Sequence, residues 1–361
     1  MGKLHELSAL GQSVWFDYIR RSATRGGELA SLVASGVRGV TSNPAIFEKA
    51  IAGSDDYDEA IAALAAEGLA PQAVFERLAI VDIREAADVL RPVYDQSDGA
   101  DGFVSLEVSP TLADDSQATQ EQARALFDAV GRPNVMIKIP GTPAGVPAIE
   151  ASIAAGININ VTLLFSLAQY QRVADAYVAG LERLTAGGGD PSRVASVASF
   201  FVSRVDTMVD DKLPAKSELR GRIAIDNARL AYERCTEVFS GERWDALAAK
   251  GARLQRPLWA STGTKNEAYL DTLYVDELIG ADTVNTVPPA TLDAFIDHGS
   301  VADRVGHDLD GAHRRFAELP AAGIAFDEVA ERLQRDGVDL FVAAFESLLK
   351  SLSEKSAALV G

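Results

Sequence analysis

The sequence has few residues able to form a metal or disulfide site. Its 361 residues include one cysteine, Cys235, so neither an internal disulfide nor a cysteine metal cluster is possible. The four histidines (His5, His298, His307 and His313) lie outside the predicted strand ends, which argues against a metal site and a serine triad. We therefore expect no metal and no metal-based cofactor.

Long apolar runs and excess positive charge are also missing. No apolar stretch is long enough to span a bilayer, and the start, Met1 to Glu6, is too polar for a signal peptide. The formal net charge of -18 argues against binding to nucleic acid or to an anionic membrane. These features predict a cytoplasmic protein with no nucleic-acid or membrane partner, although a local cationic cluster could still bind an anionic small molecule.

Short apolar runs alternate with segments of helical period, which predicts a parallel sheet. Eight runs are interpreted as strands: 13–17, 36–43, 102–108, 134–139, 157–163, 194–199, 257–261 and 282–287. Helices are predicted between them, among others at 117–130, 145–155, 166–185, 223–239 and 266–279. Eight such units indicate a single (β/α)8 TIM barrel over 1–361. Extra helices are expected after the second strand (about 56–91) and at the C-terminus (about 326–355).

The structural alternative is an open, doubly wound sheet. Its glycine-rich phosphate loop is missing, because Gly187-Gly188-Gly189 follows a predicted helix and precedes Asp190-Pro191. The closed barrel is therefore favoured.

Lys138 lies inside an apolar strand, Val-Met-Ile-Lys-Ile-Pro at 135–140. Burying an ammonium is costly unless it is paired or deprotonated, and a free amine can attack a carbonyl to form a Schiff base. The alternative is a lysine at a strand end with its head in water.

Polar residues recur at the carboxyl ends of the other predicted strands, where barrel enzymes carry their active sites. In the fifth strand, Asn158, Asn160 and Thr162 should all face inward, because strand side chains alternate. Asp17 and Glu107 are available as general acid and base, or as silent partners of Lys138 in a buried ion pair. Neutral groups suited to sugar hydroxyls are Asn43, Asn160, Thr162 and Ser199.

Four segments resemble the signature segments of the transaldolases, in matching order and spacing. They are Gly-Val-Thr-Ser-Asn-Pro at 39–44, Ile-Lys-Ile-Pro-Gly-Thr at 137–142, Asn-Ile-Asn-Val-Thr-Leu-Leu-Phe-Ser at 158–166 and Trp-Ala-Ser-Thr-Gly-Thr-Lys-Asn at 259–266. The length and the last segment resemble the longer bacterial branch of that family.

The resemblance implies a (β/α)8 barrel that moves a dihydroxyacetone unit between sugar phosphates in the non-oxidative pentose phosphate pathway, without a cofactor. The donor would be sedoheptulose 7-phosphate or fructose 6-phosphate, and the acceptor glyceraldehyde 3-phosphate or erythrose 4-phosphate. The catalytic residues it implies are Lys138 as the Schiff-base lysine, Asp17 in carbon–carbon cleavage, and Glu107 with Thr162 around a water during Schiff-base formation and hydrolysis.

The resemblance also implies a substrate-binding set. Asn43, Asn160 and Ser199 would hold the dihydroxyacetone moiety, Arg204 would bind the phosphate and Ser261 would assist. The sequence departs from the family at Gly263, where many members have a second phosphate-binding arginine. Lys265 could supply that charge, or be an ordinary solvated lysine.

Two other functions stay open. One is a lyase that releases free dihydroxyacetone, like the shorter fructose-6-phosphate aldolases, which typically lack the acid matching Glu107. The other is a non-catalytic sugar-phosphate sensor, which would be expected to lose Lys138, Asp17 or Glu107. The sequence does not fix the oligomeric state, and a homodimer is one alternative.

Overall fold

The computed structural model describes residues 2–360 and contains a closed barrel of eight parallel strands. Each strand pairs with its neighbours in chain order, and β1 closes the barrel by pairing with β8. The predicted (β/α)8 class is therefore confirmed. The strands are β1 Gln12–Phe16, β2 Gly39–Val40, β3 Val104–Glu107, β4 Val135–Pro140, β5 Ile159–Leu164, β6 Ser196–Phe201, β7 Arg256–Ala260 and β8 Thr283–Val287.

Helices surround the barrel and fill the connections between its strands. They are α1 Lys3–Ala9, α2 Arg21–Arg25, α3 Glu28–Ser35, α4 Pro44–Ala52, α5 Asp58–Ala66, α6 Pro71–Gln96, α7 Ser116–Val130, α8 Gly145–Ala154, α9 Leu167–Ala186, α10 Ser203–Asp210, α11 Ile223–Val238, α12 Gly241–Ala248, α13 Leu273–Glu277, α14 Pro289–His298, α15 Leu309–Glu318 and α16 Phe326–Val360. Short 3₁₀ turns lie at Pro110–Leu112, Pro191–Arg193 and Pro320–Ala322. None of the described helices combines the length and the hydrophobicity needed to cross a membrane.

The barrel is held by strands whose residues are almost all buried, as expected for a parallel sheet covered by helices. A close approach fixes the register of β1 and β2, where Trp15 lies opposite Gly39. A Cβ at Gly39 would lie 2.5 Å from the Trp15 ring, so a larger residue would force the indole to move. The indole Nε1 donates to Asp101 at 2.9 Å, which satisfies its buried N–H.

The helix predicted at 266–279 is wrong over most of its length, since only Leu273–Glu277 is helical. Two side-chain hydrogen bonds favour turns before it. Asn266 accepts from the Ala268 N–H, and the Tyr269 hydroxyl donates to Asp210 on α10 at 2.6 Å. The local Asx turn at Asn266 and the contact of Tyr269 with α10 therefore keep the chain from forming the helix that the apolar periodicity predicts.

The second strand is also shorter than the predicted 36–43. Its ladder ends at Val40, and Asn43 serves as the N-cap of α4, with Pro44 in the first turn. The Thr41 N–H still donates to the Phe16 carbonyl of β1 at 2.9 Å, but the cap at Asn43 then turns the chain into α4, so the strand does not extend to residue 43.

Candidate active site

Lys138 lies in β4 with its amine inside the barrel mouth. The residue is only 5% exposed, which contradicts the alternative of a strand-end lysine with its head in water. Register places it opposite Glu107 of β3, and its Nζ lies 3.4 Å from Glu107 Oε2. Nζ also donates to the Ser42 carbonyl at 3.3 Å. A buried amine beside one carboxylate is the central feature of this site.

The surroundings of Glu107 raise the pKa of its carboxyl well above the usual value for a glutamate. Burial raises the pKa of its carboxyl to about 7, while the Lys138 charge opposes the rise and the Asp17 charge adds to it. Apart from the long contact with Lys138, the buried Oε2 atom has no hydrogen-bond partner among the described residues. A carboxyl that titrates near neutral pH can both give and take a proton.

Asp17 follows β1 directly and reaches the same space from the other side. It accepts a hydrogen bond from Thr41 Oγ1 at 2.6 Å, and Thr41 Oγ1 lies 2.5 Å from Thr286 Oγ1 of β8. Burial raises the pKa of the Asp17 carboxyl, and Lys138 and Thr41 oppose that rise. Two carboxyls with raised pKa values therefore flank one lysine, a pattern that favours a functional site over a silent ion pair.

A chain of neutral side chains crosses the barrel interior. Ser199 Oγ donates to Asn160 Oδ1 at 2.7 Å, and Asn160 Nδ2 donates to Ser105 Oγ at 3.0 Å. All three residues are buried. The chain links β6, β5 and β3, so it orients the Asn160 amide firmly inside the barrel.

Thr162 lies beside a backbone irregularity in β5. The pairing of β5 with β6 shifts register between Val161 and Leu164, and Leu163 has a φ of 61°, a strained value for a branched side chain. Such bulges redirect a side chain and are frequent next to active sites. The buried Thr162 Oγ1 has no protein partner within the described part of the chain. Glu107 Oε2 and Thr162 Oγ1 are thus two buried polar atoms available to a water or a substrate.

Asn43 is only partly available to a ligand. Its Oδ1 accepts from the Ile46 N–H at 3.0 Å as the cap of α4. The amide Nδ2 is left as the group that could donate to a substrate oxygen.

Arg204 lies in the first turn of α10, directly after β6. Its guanidinium carbon is 5.4 Å from the centre of the Phe201 ring, and burial lowers the pKa of the side chain. Within residues 2–360 it forms no ion pair with a carboxylate, so its charge is available to an anion. Ser261, in the left-handed region with a φ of 57°, lies 2.9 Å from Ser203 Oγ.

Lys265 is exposed on the loop between β7 and α13, without a carboxylate partner among the described residues. At Gly263, a Cβ would lie 3.0 Å from Thr291 Oγ1, so any side chain there would press on the start of α14. The geometry therefore gives Lys265 a free charge near the barrel mouth but no fixed position.

One inward-facing candidate has a structural task instead. Asn158 precedes β5 and donates to the Pro133 and Val135 carbonyls while accepting from the Ala195 N–H. Its amide joins the starts of three strands, far along the barrel from their carboxyl ends. Of the three polar residues that alternate along the fifth strand, Asn160 and Thr162 therefore belong to the candidate site and Asn158 does not.

Sequence reasoning missed several residues. Thr286 could have been found from the same alternation rule, because it is a buried polar residue of β8 that pairs with Trp15 of β1. Ser42 contributes through its backbone carbonyl, for which no sequence signal exists. Phe341, on α16, has its ring centre 5.5 Å from Lys138 Nζ. Nothing in the helical pattern of that segment marks it as a neighbour of the lysine.

The fold and the site define a class of protein: a (β/α)8 barrel with a buried lysine between two carboxyls at the carboxyl ends of its strands. Among residues 2–360, no group of three or more His, Cys, Asp or Glu side chains is arranged to hold a metal ion.

Comparison with known proteins is consistent with this class. The family description "Transaldolase/Fructose-6-phosphate aldolase" matches residues 14–352, and the chain belongs to that family. It is 51% identical over 362 residues to the Transaldolase of Thermobifida fusca, covering 98% of each chain. It is 48% identical to Transaldolase 2 of Nostoc punctiforme, covering 98% of this chain and 97% of the relative. It is also 49% identical to Transaldolase 1 of Streptomyces coelicolor, covering 98% and 94%.

Proposed function

We propose that the chain is a transaldolase that carries a dihydroxyacetone unit on Lys138. The observation that carries the proposal is the buried Lys138–Glu107 pair, with Nζ 3.4 Å from Oε2 at the carboxyl ends of adjacent strands. Full-length similarity to proteins named transaldolase supports the same activity. The substrates would be sugar phosphates of the pentose phosphate pathway: a ketose phosphate such as sedoheptulose 7-phosphate or fructose 6-phosphate, and an aldose phosphate such as glyceraldehyde 3-phosphate or erythrose 4-phosphate.

The first stage is formation of the imine. The Lys138 amine attacks the ketose carbonyl, and the carbinolamine hydroxyl leaves as water after taking a proton from Glu107. Because the pKa of Glu107 is about 7, this carboxyl can donate the proton and later take it back. Glu107 Oε2 and Thr162 Oγ1 are both buried and have no hydrogen-bond partner within residues 2–360, and they would hold the water.

The second stage is carbon–carbon cleavage. Asp17 accepts the proton of the neighbouring substrate hydroxyl as the bond breaks, and the protonated imine accepts the electron pair. Thr41 fixes the Asp17 carboxylate through a 2.6 Å hydrogen bond, so the base is oriented before substrate arrives. The resulting enamine then attacks the acceptor aldehyde, and the new alkoxide takes the proton from Asp17.

Recognition would be divided between two regions. Asn43, Asn160 and Ser199 would bind the oxygens of the dihydroxyacetone moiety, and Ser261 would assist. Arg204 would bind the phosphate, for which a guanidinium is well shaped. Lys265, which is exposed, would add a second, less directed charge, since an ammonium is a point charge without the guanidinium fork.

A lyase that releases free dihydroxyacetone is the second candidate, because the matched family includes fructose-6-phosphate aldolases. The presence of Glu107 and of the long helical additions favours transfer. Product analysis separates the two: with fructose 6-phosphate and erythrose 4-phosphate together, a transaldolase forms sedoheptulose 7-phosphate, whereas a lyase accumulates dihydroxyacetone.

Location and assembly belong to the same proposal. We propose that the protein is cytoplasmic. Its single cysteine, Cys235, is buried and unpaired, and a chain without disulfides is compatible with a reducing compartment. A homodimer stays a prediction that analytical ultracentrifugation would test.

The decisive experiment is borohydride reduction in the presence of fructose 6-phosphate, followed by peptide mass mapping. One reduced three-carbon adduct is expected on Lys138, and none in Lys138→Ala. Lys250→Ala is the matched control, since it removes an exposed lysine with no role in the proposed site and should leave the adduct in place. An adduct on another lysine, or none at all, would overturn the mechanism.

A further inference from the structure

The long C-terminal helix α16 lies across the catalytic end of the barrel. Gln334 Nε2 donates to the Gly141 carbonyl at 3.1 Å and to the Leu163 carbonyl at 2.9 Å. These carbonyls lie at the ends of the strands that carry Lys138 and Thr162. One turn further, a Cβ at Gly337 would lie 2.8 Å from Leu163 Cδ2, so the glycine allows a close approach of helix and strand.

The other half of α16 is fixed to the helices that follow β2. The Phe345 ring packs edge-on against Phe75 of α6, with centroids 5.7 Å apart. Near the end of the helix, Lys355 Nζ lies 2.8 Å from Asp58 Oδ1 and donates to the Ser54 carbonyl at 2.7 Å. The two helical additions of the sequence therefore pack on each other and hold α16 in place over the site.

Phe341 is the residue of this helix that faces the lysine. Its ring centre lies 5.5 Å from Lys138 Nζ, and the ring is itself buried, with 8% of the residue exposed. One turn on, Phe345 lines the same cavity as Asn43 and Glu107. An aromatic side chain thus separates the lysine nitrogen from solvent on the side of the barrel mouth.

We propose that Phe341 is a positioning residue that keeps bulk water from the covalent intermediate and so favours transfer over release. The inference rests on the proposed function, because it concerns the enamine and the imine formed at Lys138. A ring near a cationic nitrogen also stabilises that nitrogen by cation–π attraction, and the imine stays cationic while protonated.

The enamine at Lys138 can react in two ways, and access of water determines which one prevails. In transfer, the enamine carbon attacks the acceptor aldehyde and forms a carbon–carbon bond. In release, the same carbon takes a proton from water, which gives the cationic imine and a hydroxide. The hydroxide adds to the imine carbon, and the carbinolamine then breaks its carbon–nitrogen bond to give dihydroxyacetone and the free Lys138 amine. Excluding all but the one water at Glu107 slows release without slowing attack on the aldehyde.

The test compares these two fates in Phe341→Leu and Phe341→Met, which lose the ring but keep much of its volume. Each purified variant is given fructose 6-phosphate alone, and free dihydroxyacetone is measured. It is then given the same donor with erythrose 4-phosphate, and transfer is measured. We expect the ratio of release to transfer to rise about two- to thirtyfold in both variants. Phe341→Tyr keeps the aromatic face and should stay near the unmodified ratio.

Leu348→Ala is the matched control for a purely structural effect. Leu348 is fully buried on α16, about 10 Å along the helix from Phe341. It should lower the melting temperature at least as much as Phe341→Leu and leave the ratio unchanged. An unchanged ratio in the Phe341 variants, or an equal rise in Leu348→Ala, would overturn the inference. Failure of the proposed function would look different, since the unmodified protein would then form no transfer product. If Phe341→Leu does not fold, Phe341→Met decides by the same ratio.

Discussion

The titration of Glu107 provides the sharpest test of the proposed chemistry. The carboxyl is buried beside Lys138, and burial raises its pKa to about 7. Below that pH it is mostly protonated and above it mostly ionised. Hydrolysis of the imine needs the ionised form, because the carboxylate must take a proton from the attacking water. The hydrolysis rate should therefore rise with pH through about 7 and level off above it.

Replacing the carboxyl by an amide should remove this dependence. Glu107→Gln keeps the shape of the side chain but cannot take a proton, and loss of a positioned acid or base typically lowers a rate by about 10² to 10⁴. The variant should therefore hydrolyse the adduct slowly at every pH from about 6 to 8, roughly one unit either side of the Glu107 pKa. Over the same range the hydrolysis rate of the unmodified protein should rise with pH. The protonated imine keeps the positive charge on the Lys138 nitrogen. That charge therefore still opposes the rise of the Glu107 pKa while the intermediate is bound.

A single-turnover assay measures this step directly. The protein is loaded with the three-carbon unit from fructose 6-phosphate, freed of excess substrate, quenched with borohydride at intervals and weighed by mass spectrometry. Asp17→Asn is the matched control: it should load from free dihydroxyacetone, keep the pH slope and fail only in carbon–carbon cleavage. A slope near pH 7 that survives in Glu107→Gln would assign the titration to another group and refute the role given to Glu107.

Other outcomes follow from the same geometry. Arg204→Ala should lose about 1.5–3 kcal/mol of binding, roughly ten- to a hundredfold in affinity, for phosphorylated substrates but not for free dihydroxyacetone; equal losses on both would make it a structural residue. Lys265→Ala should show the same selectivity more weakly, and a silent variant would mean that one cation suffices at this site. Exhaustive dialysis against a chelator should leave turnover intact, since the protonated imine is the electron sink; metal-dependent recovery would contradict it. Gly337→Ala should lower unfolding free energy by about 1–3 kcal/mol, because the new methyl meets Leu163 at 2.8 Å; an unchanged denaturation midpoint would show that Leu163 yields freely.

The barrel and the central pair of the site could be predicted because both follow from short-range rules. Strand alternation has a period of two, and neighbouring parallel strands end at the same edge, so Glu107 and Lys138 must lie side by side if both strands are identified. The same rules locate Asp17 and Asn160. They state which residues share a face, however, and not what each atom on that face binds.

The details that sequence reasoning missed depend on backbone geometry. Register rules assume an unbroken ladder, whereas β5 shifts register near Thr162 and places Leu163 at a φ of 61°. The Asn43 oxygen is used by a helix cap, and Asn158 binds backbone groups at the opposite end of the barrel. An asparagine side chain can bind either nearby backbone groups or a ligand, and the residue type alone does not determine which of the two it binds.

The position of α16 shows a second limit, which concerns contacts far apart in the chain. Its sequence predicts a helix, but an amphipathic pattern indicates only that one face is buried, not against what. The docking is decided by contacts such as those of Gln334, which reach back 193 and 171 residues to Gly141 and Leu163. Those carbonyls are free to accept because strand pairing has ended at one and is displaced at the other. The irregular end of β5 therefore has two effects. It changes the backbone beside Thr162, and it leaves the Leu163 carbonyl free to bind Gln334 of α16, the helix that places Phe341 beside Lys138.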